Sequence, residues 1–252
     1  MRTVLVTALS LFVVFGGSCE GGTEVGNPVI SIGLSAYDLA SSTVAPGGQA
    51  LAGGNVEVDA AWIALKDLRL RPAQLCEDIA EVEVSGPLAV NLLGPIPDAL
   101  RGFPVEPGGY CRVEFRWHKA AALPGAPTEL DAVAVYVSGT RRDGVRFVIR
   151  SERNDALELR ARGGAFTIEP TLAGLFVGFD MQLWLAGVDL DGAVVGNDGV
   201  IHVEKGQNDA QLSVFEANVA SASKLFKDLN GDGQLGSDEH DDADVIGDGA
   251  SR

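Results

Sequence analysis

Strand-length runs of alternating apolar and polar residues, interrupted by glycine and proline turns, constrain the fold of this sequence more than any other feature. In YCRVEFRWH the apolar positions from Cys111 to Trp117 alternate with charged residues, as in a strand with one buried face. Similar runs recur between residues 29 and 179, and turns such as Pro-Gly-Gly at 107–109 separate them. Because no helical periods intervene, the sequence predicts a mainly β fold whose body is an antiparallel β-sandwich.

Helical signals are confined to two places. The run MQLWLAGVDL, which begins at Met181, fits either a short helix or a strand, and we favour the helix. FEANVASASKLF has the composition of a helix that enters the following loop. In the second run Phe215, Val219 and Leu225 are spaced so as to form one docked face. The fold prediction therefore adds a short helical C-terminal segment to the β body.

The chain divides into four regions by composition. They are a signal peptide (1–18), a glycine-rich tether (19–28), a β-sandwich body (29–205, with a candidate subdivision near 123–130) and a C-terminal helix, loop and acidic tail (206–252).

The first 18 residues have the composition of a secretory signal. Arg2 is followed by an apolar run from Val4 to Phe15 and then by small residues. As a helix those twelve residues reach about 18 Å, which is too short for a hydrocarbon core of about 30 Å. We therefore expect cleavage rather than a permanent membrane span.

Cys19 directly follows the small residues, and this arrangement resembles the lipobox of bacterial lipoproteins. The resemblance implies that the thiol of Cys19 is acylated and anchors the chain to a membrane, with the following glycines as a flexible tether. Gly16 departs from the lipobox, which usually has leucine three positions before the cysteine. A plain secretory cut after Ser18 and an uncleaved anchor remain the alternatives.

The other two cysteines are Cys76 and Cys111. Lipidation of Cys19 would leave this even number in an oxidising compartment, which favours a disulfide between them. On the chain-entropy account such a bridge would contribute about 4 kcal/mol to stability. The alternative is a pair of buried free thiols.

DLNGDGQLGSDE, residues 228–239, matches the twelve-residue EF-hand calcium loop. Gly233 permits the sharp turn at position 6, and Leu235 is the apolar residue at position 8. Oxygen ligands suit a hard cation such as Ca²⁺, whereas Zn²⁺ prefers nitrogen and sulfur. The predicted ligands are Asp228, Asn230, Asp232, the backbone carbonyl of Gln234, and Glu239.

The loop would be a single calcium site. The nearest acidic residues downstream lack the spacing and the closing glutamate of a second loop, and the sequence there allows only a short exit helix. The alternative is an acidic, solvated turn without metal.

Charge and missing motifs restrict the function. The net charge of −16 argues against a nucleic-acid partner, because such a protein must neutralise phosphates with basic side chains. Common hydrolase and nucleotide-binding motifs are missing, and His118, His202 and His240 have no metal-ligand spacing. We therefore expect no enzyme, although paired carboxylates would leave no sequence mark.

The quoted segments, together with GGTEVGNP after Cys19 and FDMQLWLAGVDLDG, resemble uncharacterised lipoproteins of myxobacteria and related Gram-negative bacteria. Residues 56–123 also look like a sandwich domain of unknown function from bacterial lipoproteins. This resemblance implies no enzymatic activity. From Cys19 and the loop 228–239 we expect a noncatalytic protein of the cell envelope, lipid-anchored at the outer membrane or cell surface. The resemblance does not identify the partner of the protein, whether another protein or a glycan.

Two alternative functions remain at this point. One is a glycan-binding surface domain that uses exposed tryptophans among Trp62, Trp117 and Trp184, although tryptophan in a sandwich is more often part of the core. The other is a glycan hydrolase, which would need a cleft with two facing carboxylates.

Overall fold

The structure is a computed structural model of the chain. It describes residues 26–38, 43–44, 51–53, 56–77, 80, 82–97, 100–119, 122–231, 235–236, 239 and 241–251.

The described residues are mainly β, as the alternating sequence runs predict. Most predicted runs coincide with strands; ALELRA, for example, is a strand at the expected residues. The strands are β1 (Val29–Asp38), β2 (Thr43–Val44), β3 (Leu51–Gly53), β4 (Val56–Pro72), β5 (Val82–Asn91), β6 (Phe103–Pro104), β7 (Gly108–Trp117), β8 (Val135–Arg141), β9 (Arg146–Ser151), β10 (Ala156–Ala161), β11 (Phe166–Ile168), β12 (Gly174–Asp180), β13 (Val200–Val203), β14 (Ser223–Asp228) and β15 (Gly247–Ser251).

These strands form one curled sheet with the order β13-β9-β8-β4-β7-β10-β15-β14-β12-β1-β2. Strands β3 and β5 also pair with β4, while β6 pairs with β1 and β11 with β7. Most pairs are antiparallel, but β1 runs parallel to β12 and β13 runs parallel to β9. The sheet is therefore mixed, and the antiparallel sandwich is not confirmed.

The long strand β4 pairs with four other strands and so belongs to two neighbouring parts of the sheet. Its first part pairs with β3 and β8, and its second part pairs with β5 and β7. The pairing register shifts between Val58 and Ala60 and again between Leu65 and Leu68. Such irregularities bend a strand and increase its twist, which lets one strand belong to both parts of the sheet.

Two helices pack against this sheet, α1 (Met181–Trp184) and α2 (Asp209–Ser221). The short helix predicted from MQLWLAGVDL is present as α1. Edge-to-face contacts join five aromatic rings through the core, with neighbouring centroids 5.2–6.2 Å apart, and the last ring lies on α2. In order these rings are Trp117, Phe115, Phe179, Trp184 and Phe215.

The last strand is central in the sheet. Strand β15 lies between β10 and β14, and it pairs with five residues of β10. It can do so because its sequence, GDGAS, carries only small side chains beside Asp248. The region from residue 206 onward therefore contributes two strands to the body of the protein.

Candidate functional site

The loop predicted to bind calcium connects β14 to β15. Asp228, at loop position 1, is the last residue of β14 and is buried, whereas Asn230 at position 3 is exposed. Glu239, at position 12, is buried with 1% of its surface exposed. Two further predicted ligands, Asp232 and Gln234, lie outside the described residues.

The carboxylate of Glu239 points back across the loop. Its Oε1 accepts hydrogen bonds from the backbone N–H groups of Leu229 and Asn230, at 2.7 and 3.1 Å. Its Oε2 accepts one from the N–H of Gly236, at 3.1 Å. Asp228 Oδ1 accepts from the N–H of Gly231 at 2.7 Å. The carboxylates at the first and last positions of the loop therefore both accept hydrogen bonds from the loop backbone.

Leu235 at loop position 8 fixes the loop to the sheet. It is 1% exposed and belongs to a small apolar cluster between the loop and the sheet. Burial, together with the nearby carboxylate of Asp180, raises the pKa of Tyr37 in this cluster. The other members of the cluster are Phe176, Phe226 and Val245.

The segment that precedes the loop differs from the prediction. Helix α2 carries Phe215 and Val219 on its buried face, as expected, but it ends at Ser221. The hydroxyl of Ser223 donates to the carbonyl of Val219 at 2.7 Å, and the chain then enters β14, where Leu225 is a sheet residue. The helix entering the loop is therefore not confirmed, and a strand occupies its place. After the loop, a single 3₁₀ turn (Asp242–Asp244) precedes β15.

Arg162 holds the chain that follows the loop. Its guanidinium donates to both carboxylate oxygens of Asp248, at 2.7 and 3.1 Å, and to the carbonyl and carboxylate of Asp242, both at 2.9 Å. Lys224 on β14 also donates to Asp248, at 2.6 Å. Hydrogen bonding to Arg162, followed by Lys224, lowers the pKa of Asp248 to about 2.

The loop contains the oxygen chemistry that a hard cation needs. Asp228 and Glu239 supply carboxylates, and Asn230 supplies an amide oxygen. Within the part of the chain that the structure describes, no group of three or more His, Cys, Asp and Glu side chains is placed to hold a metal ion. Asp232, the third carboxylate of the predicted set, lies outside the described residues.

The two internal cysteines are joined. Cys76 and Cys111 form a disulfide across 35 residues, with their Cα atoms 6.0 Å apart. Cys111 is buried on β7, as the alternation predicts, whereas Cys76 is half-buried at the end of a 3₁₀ turn (Ala73–Leu75).

A buried group of charges beside this disulfide was not predicted. The alternation of β7 placed Arg112 and Glu114 on an exposed face, yet they are 2% and 4% exposed. Arg71 donates to Glu114 at 3.0 Å, and Arg112 donates to Glu77 at 3.0 and 3.4 Å. On β10, Arg160 donates to the buried carboxylate of Glu158 at 2.9 Å. The sequence carries opposite charges on β4, β7 and β10. Only the pairing register of these strands shows that the charges lie side by side.

The tryptophans do not form a sugar-stacking surface. Trp117 and Trp184 are buried in the core, and Trp62 is half-buried beside a second apolar cluster. Exposed tryptophans, which the glycan-binding alternative requires, are thus not found among these three.

An open cavity of about 650 Å³ lies between α2 and the ends of β9 and β10. Each of its three carboxylates has a partner: Glu152 accepts from Lys119 at 3.0 Å, Asp155 pairs with Arg153, and Glu216 accepts from Ser151.

The predicted signal peptide and Cys19 lie outside the described residues. Within the described ranges, no helix combines the length and apolar character needed to cross a bilayer.

Comparison of the chain with protein-family models, with curated proteins and with solved structures finds no match.

Proposed function

We propose that this protein is a noncatalytic lipoprotein of the Gram-negative cell envelope that binds one calcium ion in the loop 228–239. The observation that carries the calcium proposal is the placement of Asp228 and Glu239. Both carboxylates are buried at the two ends of a twelve-residue loop, and both face its backbone. Calcium would supply the positive charge that brings these acids together.

The ligands would be the side-chain oxygens of Asp228, Asn230, Asp232 and Glu239 and the carbonyl of Gln234. Glu239 limits the affinity, because a carboxylate has about four lone-pair positions and three of them already accept backbone N–H groups. A bidentate contact with calcium therefore requires the loss of at least one of these hydrogen bonds. Gly236 at position 9 also offers no side chain to hold a bound water. We expect a dissociation constant of about 10⁻⁴ M, in the range of extracellular sites.

Calorimetry on the full chain in detergent tests the calcium proposal. We expect binding of one Ca²⁺ per chain, and Glu239→Gln should abolish it because it removes a charge from the bidentate ligand. Asp238→Asn is the matched control, since it removes the same charge from loop position 11, which carries no ligand. Absence of heat at millimolar calcium, or equal losses in the two variants, would refute the site.

The anchoring proposal depends on Cys19. A thiol-linked lipid should hold the protein in the membrane fraction, and the glycine-rich tether would let the β body extend from the surface. Cys19→Ser should release the chain, and globomycin should cause the precursor to accumulate. Thr23→Ala, within the tether, is the control and should leave fractionation unchanged. A Cys19→Ser protein that still sediments with membranes would contradict the anchor.

A further inference from the structure

One asparagine at the start of the loop is followed by glycine. Asn230 and Gly231 form this pair, and it is the only Asn-Gly pair in the sequence. Both residues are exposed, so water reaches the side-chain amide of Asn230. The turn itself requires glycine after the asparagine, because Gly231 has a φ of +76°. Glycine also has no Cβ that would obstruct the approach of its backbone nitrogen to the neighbouring amide.

Such a pair can react with water alone. The backbone nitrogen of Gly231 loses its proton and attacks Cγ of Asn230, the new C–N bond closes a succinimide ring, and the side-chain nitrogen leaves as ammonia with that proton. Water then adds to one of the two ring carbonyls and breaks its bond to the ring nitrogen, which takes up a proton. The product at position 230 is aspartate or isoaspartate. The reaction consumes one water molecule, and nothing is oxidised or reduced.

The structure restrains the nucleophile of this reaction. The N–H of Gly231 donates to Oδ1 of Asp228 at 2.7 Å, and Asp228 is 4% exposed. Hydrogen bonds to a carboxylate are stronger than those between neutral groups. A negative charge beside the N–H also disfavours the loss of its proton. Asp228 therefore keeps the proton on the nitrogen that would attack Asn230.

The main chain on the other side of Asn230 is also held. The N–H of Asn230 donates to Oε1 of Glu239 at 3.1 Å. Two buried carboxylates, those of Asp228 and Glu239, thus accept from two successive N–H groups. Isoaspartate would add a methylene group to the main chain between these two groups. The longer main chain would misalign at least one of the two hydrogen bonds.

We propose that Asn230 is a site of spontaneous deamidation and that the hydrogen bond from Gly231 to Asp228 keeps the reaction slow in the folded loop. Conversion replaces a neutral amide with a carboxylate beside the buried acids Asp228 and Glu239, where a further negative charge is unfavourable. Together with the longer main chain of isoaspartate, this charge loosens the loop. The modification does not depend on calcium.

Incubation of the full chain in water enriched in heavy oxygen tests the proposal. The protein is kept with a chelator in a mildly alkaline buffer, and its peptides are sequenced by mass spectrometry. We expect heavy oxygen at residue 230, as both aspartate and isoaspartate. Incorporation should be at least about tenfold faster in the urea-unfolded chain, which lacks the hydrogen bond to Asp228. Asn230→Gln should abolish incorporation at this position, because its longer side chain would have to close a larger ring.

Asp228→Ser tests the restraint in the folded protein. It removes the charge but keeps an acceptor oxygen, and incorporation at Asn230 should rise at least about tenfold. Asp228→Asn, which keeps the shape of the side chain, should change the rate in the same direction. Asp241→Ser removes an exposed acid shortly after the loop and is the control, with a rate within about twofold of the wild type.

An exposed asparagine elsewhere reports unfolding of the whole chain. Asn154 is followed by Asp155, and its incorporation should be the same in the wild type and in the Asp228 variants. Three results would overturn the proposal. They are absence of heavy oxygen at residue 230 in the unfolded chain, equal rates at Asn230 in the folded wild type and both Asp228 variants, and a parallel rise at Asn154 in both variants. Because chelator is present throughout, none of these results depends on the calcium proposal.

Discussion

Glu239 should stabilise the fold even when no metal is present. Its buried carboxylate accepts backbone N–H groups from Leu229, Asn230 and Gly236, which span the loop from position 2 to position 9. Each such hydrogen bond contributes about 1 kcal/mol net, so Glu239→Ala should lower the free energy of unfolding by about 3 kcal/mol. Glu239→Gln keeps one oxygen, which can occupy the position of Oε1 and retain two of the three bonds, so its loss should be about 1 kcal/mol.

Guanidinium denaturation in a calcium chelator measures these differences. Asp241→Ala, at an exposed acid shortly after the loop, is the control and should cost less than about 0.5 kcal/mol. Addition of millimolar calcium should then stabilise the wild type by about 1.4 kcal/mol for a dissociation constant of 10⁻⁴ M and should leave Glu239→Gln unchanged. A free energy of unfolding for Glu239→Ala within about 0.5 kcal/mol of the wild type in chelator would contradict this expectation, because the hydrogen bonds would then contribute nothing.

Three further changes test the packing around the loop and the buried charges. Gly249→Val should destabilise the fold by about 3 kcal/mol in thermal or chemical denaturation, because a Cβ there would lie 2.2 Å from the carbonyl oxygen of Ala220. Gly108→Ala is the control, because nothing lies within 4 Å of a Cβ at that position. Folding lowers the pKa of Asp248 to about 2, so its contribution to stability is present above the unfolded pKa of about 4 and is lost as the pH falls towards 2. In unfolding curves measured over a pH series, Asp248→Asn should reduce the loss of stability between about pH 4 and pH 2. Glu114→Leu should lower the free energy of unfolding by about 3 kcal/mol, because it leaves Arg71 buried without its partner. Adding Arg71→Met should recover most of that loss, and additive losses in the double-mutant cycle would contradict the pairing.

The regular strands could be predicted from the sequence, because the alternation of apolar and polar residues lies within each strand. The alternation in β7 depends only on neighbouring residues, and this strand is found where the alternation predicts it. Strand β15 could not be predicted in this way, since GDGAS has no apolar alternation and is ordered by β10 and β14. The parallel pairing of β1 with β12 joins segments more than 130 residues apart, and no local pattern encodes it.

The candidate site was predictable to a similar extent. The oxygen-bearing residues of the predicted calcium loop follow a fixed spacing, so the sequence names Asp228 and Glu239 as candidate ligands, and the structure buries both beside the loop backbone. The helix before the loop could not be distinguished from a strand, because SKLFKD contains apolar residues that fit either period. Burial of Arg112 and Glu114 was missed for a different reason: alternation assigns a face to each residue, but it does not reveal that a distant segment covers the polar face.

The place of the loop in the sheet changes what a bound cation could do. An EF-hand loop with a helix on either side transmits binding as a change in the angle between the helices. Here the loop joins β14 to β15, and β15 in turn pairs with five residues of β10. Closure of the loop by calcium would therefore act on the register of two central strands rather than on a detached tail. Arg162 and Lys224 already fix Asp248 in this region, so the cation would leave these contacts in place and would displace only a backbone hydrogen bond of Glu239. A stabilisation of about 1.4 kcal/mol then fits a role in tightening a sheet that is already formed, and not one in folding it.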